Sequence, residues 1–250
     1  MPRLDERNAL VIGSAIGIGR AVALALGREG ARVVVADRGH EAERGEVVRQ
    51  IVAGGSDALS VHCDVTTDSD VAGAVGTTVA RYGRIDILVN NAGIGQPSGD
   101  FVDIDWSNWQ RLIDINLRGV ALGMRFGLPP MLAQGYGRII NTASQLAHKP
   151  AAGAAIYSAA KAGVVALTSA VAQEVAARGV LVNSVCPGPT DTATWRESPD
   201  DWRKWKEAQL PIQRIAHPDE IASAYVYLAS DEASFMVGQS ISPNGGDVTW

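Results

Sequence analysis

The feature that most constrains this chain is a glycine-rich loop, Gly13-Ser14-Ala15-Ile16-Gly17-Ile18-Gly19-Arg20, set between a short apolar run at 9–12 and a helical stretch through Glu29. Glycines allow a tight turn and let a phosphate approach the backbone. The helix N-terminus that follows offers free N–H groups and the positive end of a dipole. The spacing is G-x-x-x-G-x-G rather than G-x-G-x-x-G, so the position directly after the first strand carries the reading. Such a loop belongs at the edge of a parallel sheet, facing a phosphorylated ligand.

The rest of the chain supplies that sheet. Apolar runs at 9–12, 32–36, 58–62, 85–89, 138–141 and 180–185 read as strands. The stretches between them carry Ala, Leu and Val at helical spacing and end near Gly30, Gly54, Gly83, Gly135 and Gly179. This alternation predicts an α/β fold, a doubly wound (Rossmann-type) parallel sheet of about seven strands with helices on both faces. After the sixth strand the rhythm breaks: Thr192 to Leu210 is rich in Trp and charge, 218–229 reads as a helix, and 240–242 as a last short strand. No repeat or flexible linker intervenes. A single domain over 1–250 is expected, with a substrate-covering segment at about 190–215.

Composition narrows the function classes. Hydrophobic residues make up 46% of the chain and charged residues 20%, enough apolar side chains for a substantial core. The 22 basic and 27 acidic residues leave −5, with no basic run, which disfavours a nucleic-acid or anionic-membrane partner. Cys63 and Cys186 are the only cysteines and form no metal-like pair. Residues 1–8 are polar and no apolar run reaches the roughly 20 residues of a membrane span. A soluble cytoplasmic protein with no bound metal is expected.

Two further signals carry chemistry. Asp37 ends the second strand, where a carboxylate can accept hydrogen bonds from both adenosine ribose hydroxyls and repel a 2′-phosphate. Arg38 beside it could instead welcome that phosphate; Asp37, already occupying the hydroxyl site, favours NAD over NADP. Tyr157 and Lys161 lie four residues apart in a helical stretch at 154–177, so their side chains leave one helical face. A free phenol titrates near ~10, and a neighbouring ammonium plus an oxidised nicotinamide would stabilise phenolate. Lowering that value to near neutrality takes on the order of 4 kcal/mol. Ser144 follows the fifth strand and Asn90-Asn91-Ala92-Gly93 the fourth, both at the carboxyl edge where sites of such folds collect. Asn116 sits in the helical stretch 105–126, from which it could face the site and anchor a water near Lys161.

Together these residues resemble the single-domain short-chain dehydrogenase/reductase family, in order, from Ala9 to Gly246. The matching positions are Gly13 to Gly19, Asp64, Asn90 to Gly93, Asn116, Ser144, Tyr157, Lys161 and Pro187-Gly188. The resemblance implies Tyr157 as general acid/base, with Ser144 orienting the substrate oxygen. Lys161 would bind the nicotinamide ribose and Asn116 would support a water-linked proton relay. It implies cofactor contacts at Gly13, Gly17, Ile18, Gly19, Asp37 and Arg38. Asp64 and Val65 would meet adenine, Asn91, Ala92 and Gly93 the adenosine-side ribose region, and Pro187, Gly188, Thr190 and Thr192 the nicotinamide and phosphates. One departure is visible: where the family usually has Thr or Ser before the first loop glycine, this chain has Ile12, so a side-chain hydrogen bond bracing the loop is missing there.

The implied activity is NAD-dependent interconversion of a secondary alcohol and a ketone. An NADPH-dependent 3-oxoacyl-thioester reductase is the alternative within the family, and a catalytically silent dinucleotide sensor or scaffold the alternative outside catalysis. Ile94, Gln145, Leu146, Trp195 and Trp202 are candidate substrate-lining residues; Gly95, Gln96 and His148 are further candidates for lining the site, and Trp205 lies nearby in sequence. Trp195, Trp202 and Trp205 would lie near one face if 195–210 were a single helix, pointing to an apolar or aromatic substrate. Asp114 and Arg118 look like an ion pair four residues apart. Excess apolar surface on the helices at 105–126 and 154–177 points to burial against another subunit, and the resemblance implies a homotetramer, with a dimer as the alternative.

Overall fold

The computed structural model of the protein describes residues 2–96 and 99–249. Seven parallel strands form one sheet: β1 (Asn8–Ile12), β2 (Arg32–Asp37), β3 (Ala58–His62), β4 (Ile87–Asn90), β5 (Gly137–Thr142), β6 (Val180–Val185) and β7 (Ser240–Ile241). Their order is β3-β2-β1-β4-β5-β6-β7. The chain winds outward from β1 to β3, then returns to start again at β4, so β1 and β4 lie side by side and their loops part in opposite directions. That switch point is where a doubly wound sheet opens a crevice at its carboxyl edge.

Helices α1 (Gly17–Arg28), α2 (Glu41–Ala53), α3 (Asp68–Tyr82), α4 (Trp106–Ile113), α5 (Gly119–Gln134) and α6 (Ala155–Val175) make the crossovers, followed by α7 (Ala193–Arg196), α8 (Asp200–Gln209) and α9 (Pro218–Ala229). Alternation along the strands assigns each side chain to a face. Val11, Val33 and Val35 pack with α1 and α9, whereas Leu10, Ile12 and Val34 pack with α3, α5 and α6. Buried aliphatic side chains of this kind contribute about 1.5–3 kcal/mol each toward offsetting chain entropy.

Several sequence expectations shift. Strand β4 begins at Ile87 rather than 85, because Asp86 is used before pairing starts: its carboxylate accepts from the backbone N–H and side-chain amide of Asn8 at 3.0 and 3.1 Å. The helix expected at 105–126 runs on to Gln134 and contains a π-helical turn at Asp114–Arg118. Asp114 and Arg118 do not pair. Gln110 donates to Asp114, while Arg118 reaches across to Asp68 and the Thr66 carbonyl. The segment 195–210 is not one helix either, since Pro199, which has no N–H to donate, separates α7 from α8.

One helical stretch, Ala155–Arg178, is long and apolar enough to cross a bilayer by length and composition, with a mean hydropathy of 1.4. Here it lies against β5 and β6, with Ile156, Val164, Ala172 and Val175 in the core. Of that apolar window, 39% is buried in the single chain.

The tightest helix–sheet contact is at Gly123 in α5. A Cβ there would stand 1.9 Å from Oδ1 of Asn90, whose amide donates to Asn141 inside the core. Gly123→Ala is therefore expected to cost about 1–3 kcal/mol, read as a lower denaturant midpoint with unchanged slope.

Candidate active site

The glycine loop is braced from within. Gly13 and Ser14 donate to the Ala36 carbonyl at 2.7 and 3.1 Å. The Ser14 hydroxyl donates to the Val11 carbonyl at 2.7 Å and accepts from the Ala36 N–H at 3.0 Å. This fully buried serine supplies the support that Ile12 cannot. Asn91 adds a second brace, donating to the Gly13 carbonyl at 2.7 Å. A Cβ on Gly19 would sit 1.9 Å from that same carbonyl oxygen, and one on Gly13 2.5 Å from the Ala92 nitrogen. Loop and β4 edge are thus packed backbone to backbone. No side chain caps α1 at Ile16, which leaves its first-turn N–H groups for an anion.

Asp37 stands at the end of β2 beside this loop. One oxygen accepts from Ala15 N–H at 3.2 Å and the other from Gly39 N–H at 3.2 Å. Arg38 turns away from it toward Asp64, at 3.6 Å. Asp64 is also held by Thr66, whose backbone and hydroxyl both donate to it. The bonds from Thr66 and the charge of Arg38 keep its carboxyl below the usual range although burial pushes the other way. Val65 is buried and packs where a side chain on Gly119 would fall. Farther along, the loop 187–192 closes on the glycine loop, and a Cβ on Gly17 would meet the Thr192 methyl at 3.4 Å.

Tyr157, Lys161 and Ser144 converge at the carboxyl edge between β4 and β5. Helix α6 starts at Ala155, and Gln96 serves as its cap: the Tyr157 N–H donates to Gln96 Oε1 at 3.0 Å, and Gln96 donates to the Gly153 carbonyl at 2.9 Å. The Lys161 ammonium, 3% exposed, donates to the Thr142 carbonyl at 2.7 Å and lies 5.8 Å from the centre of the Tyr157 ring. Ser144 accepts from Leu146 N–H at 3.2 Å.

Asn116 and Lys161 approach Gly93 together: a Cβ there would lie 2.7 Å from Asn116 Oδ1 and 3.5 Å from Lys161 Nζ. Both polar atoms of the Asn116 side chain are already used, accepting from Ile94 N–H at 3.0 Å and donating to the Ile94 carbonyl at 2.9 Å. The side chain fastens the loop after β4.

The electrostatics differ from the expectation in one respect. Burial pushes the Tyr157 phenol above its ordinary value, and the Ser144 hydroxyl offsets only part of that. Burial also pushes the Lys161 ammonium down, to about 8. In the cofactor-free protein the ammonium does not make the phenol acidic.

Among substrate candidates, Ile94 packs in the same apolar cluster as Tyr157. Trp195 is buried and the more exposed Trp202 lies against it with ring centres 5.3 Å apart and planes tilted by 52°, while Trp205 is exposed. Gln145 is buried and its amide is spent on Asp247 at 2.5 Å. The sequence pattern does not point to Ser14, Thr142 or Asp247, since Ser14 lies inside a motif read for its glycines and the other two carry no local signal; Gln96, a candidate for lining the site, instead caps α6. Among the described residues, no group of three or more His, Cys, Asp or Glu side chains is placed to hold a metal ion.

Comparison with known proteins agrees with this geometry. The family model described as Enoyl-(Acyl carrier protein) reductase matches residues 13–247. A cis-4-hydroxycyclohexanecarboxylate dehydrogenase of Sinomonas cyclohexanicum is 43% identical over 96% of this chain and 96% of its own. A short-chain type dehydrogenase/reductase from Mycobacterium marinum superposes with a TM-score of 0.93 at 37% identity, covering 99% of this chain and 97% of that one. Levodione reductase superposes with a TM-score of 0.92 at 32% identity, covering 98% of both chains. The chain belongs to the short-chain dehydrogenase/reductase family. It is an oxidoreductase that interconverts a secondary alcohol and a ketone with a nicotinamide dinucleotide.

The uncapped helix, the glycines that leave no room for a Cβ and the Asp37 carboxylate fit such a dinucleotide. In the free protein, the tyrosinate absorbance lost in Tyr157→Phe is expected to titrate above pH ~10, and to move to lower pH when oxidised dinucleotide is added. A midpoint near neutrality without cofactor would contradict the burial argument.

Proposed function

We propose that the protein is an NAD(H)-dependent dehydrogenase/reductase of small, apolar, six-membered cyclic alcohols and ketones. The observation that carries this is the convergence of the Tyr157 phenol, Ser144 hydroxyl and Lys161 ammonium beside a glycine loop whose neighbouring carboxylate is Asp37. The ring-shaped substrate is supported by the relative named for a hydroxycyclohexanecarboxylate and by the aromatic pair Trp195–Trp202 within the covering segment at about 190–215.

The bound dinucleotide supplies the hydride acceptor or donor. Gly13, Gly17, Ile18 and Gly19 would hold its phosphates, with Thr190 and Thr192 closing from the other side. Asp37 would take the adenosine ribose hydroxyls. Arg38, Asp64 and Val65 would border adenine. Asn91, Ala92 and Gly93 would line the groove at β4, and Pro187 and Gly188 would support the nicotinamide end. Lys161 would meet the nicotinamide ribose. Ser144 orients the substrate oxygen, Tyr157 exchanges its proton, and Asn116 fixes the Ile94 loop against the substrate. Ile94, Leu146, Trp195 and Trp202 line the alcohol. A positive ring added near the phenol, with the ammonium already in place, favours phenolate in a site of low dielectric.

The thioester-reductase alternative requires a 2′-phosphate where Asp37 places a negative charge, and a silent sensor has no need of all four groups Asn116, Ser144, Tyr157 and Lys161. Cyclohexanol oxidation followed by reduced-nicotinamide absorbance tests the reading: turnover with NAD and little with NADP is expected. Tyr157→Phe should lose about 10²–10⁴-fold in kcat. Asp37→Ala should shrink the cofactor preference roughly ten- to hundredfold. Turnover with NADPH and 3-oxoacyl thioesters alone would overturn it.

We also propose a cytoplasmic homotetramer, with a dimer as the alternative. The buried free thiols of Cys63 and Cys186 suit a reducing compartment. Phe101, Val102, Trp106 and Phe235 are exposed in the single chain, as expected of surfaces covered by other copies. Sedimentation equilibrium should give a mass near four times 26.3 kDa; a monomer would refute assembly.

A further inference from the structure

Helix α8 buries none of its ten residues. Its arginine and lysine partners for Asp200 lie within the helix itself. Trp202, tilted against Trp195, and Lys206, whose ammonium stands 2.6 Å from Asp247 Oδ2, tie it to the body.

Asp247 is a junction. Its side chain is 3% exposed and accepts from Lys206, from Gln145 Nε2 at 2.5 Å and from Lys149 Nζ at 3.0 Å; Lys149 also donates to the Asp247 carbonyl at 2.8 Å. Gln145 directly follows Ser144, and its N–H donates to the Pro187 carbonyl at 3.1 Å. The tail bearing Asp247 is itself fixed. Gly188 N–H donates to the Pro243 carbonyl at 3.0 Å, and Asn244 accepts from Gly246 N–H at 2.8 Å and donates to the Val248 carbonyl at 2.7 Å. Burial alone would push the Asp247 carboxyl up, but the two lysines hold it below the ordinary range, so the junction is a carboxylate between two cations.

We propose that Asp247 is a positioning residue for the alcohol site: one buried carboxylate fastens α8 through Lys206 and the Ser144 loop through Gln145 and Lys149, setting the distance between the covering helix and the substrate-orienting hydroxyl. This rests on the function proposed above. Neither Asp247 nor Lys206 reaches the reacting atoms, so their loss acts on substrate retention rather than on proton or hydride transfer. Charge-assisted bonds in a buried setting are strong enough for that loss to be measurable.

The test uses full-length Lys206→Met, Asp247→Asn and Asp247→Glu with cyclohexanol and NAD. For the first two, KM for cyclohexanol is expected to rise roughly tenfold or more, with kcat within about twofold of wild type and KM for NAD unchanged. Asp247→Glu, keeping the charge, should recover part of the effect, and the double variant should be no worse than Asp247→Asn. Independently of turnover, amide hydrogen exchange should quicken in 200–209 and 145–149 but not in β1 or β4. That readout stands even if cyclohexanol is no substrate. Unchanged KM and unchanged exchange would overturn the proposal, as would a uniform loss in kcat, both KM values and exchange protection throughout the sheet.

Discussion

A buried ammonium sets the terms for the rest of this molecule. Lys161 is taken almost wholly out of water with one backbone carbonyl, that of Thr142, as its hydrogen-bond acceptor, an arrangement that costs free energy until further acceptors arrive. The carbonyl cannot drift away. The Thr142 hydroxyl is joined to the Tyr225 phenol at 2.7 Å and to Asn91 Oδ1 at 3.3 Å, and Asn91 in turn holds the Gly13 carbonyl. One chain of hydrogen bonds therefore links the cationic centre to the glycine loop.

The sheet makes this possible by sending every strand the same way. Groups at the ends of β1, β2, β4, β5 and β6 come from distant parts of the sequence yet meet along one edge. The strands below are apolar on both faces, so the polar residues that remain, such as Asn90, Asn141 and Thr168, bond one another inside the core. Rigidity under the site comes from packing, and chemistry is confined to the rim.

Much of this was legible in the chain of letters. Continuous apolar strand runs, the glycine loop and the four-residue interval between Tyr157 and Lys161 are local patterns with direct physical meaning, and apart from the later start of β4 they lie where the sequence places them. Less legible were features that depend on partners far away in sequence. Nothing near Gln96 announces that it caps the helix carrying Tyr157, and nothing after Gly245-Gly246 announces that Asp247 meets Gln145. Ile12 looked like a missing brace because the compensating hydroxyl, Ser14, bonds to a neighbouring strand whose closeness only folding creates. The π-helical turn at Asp114–Arg118 likewise reflects the demand to bury Asn116 against Ile94, a tertiary constraint that overrides helical periodicity.

A helix that contributes nothing to the core has a consequence of its own. Because α8 buries none of its own residues and is held chiefly through Trp202 and Lys206, most of its sequence is free of the demands that fold the protein. Residues there can be exchanged to reshape what fits over the reaction centre while the catalytic groups, the dinucleotide cradle and the thermodynamic stability stay as they are. Divergence in what the scaffold accepts can thus proceed at little risk to the scaffold itself.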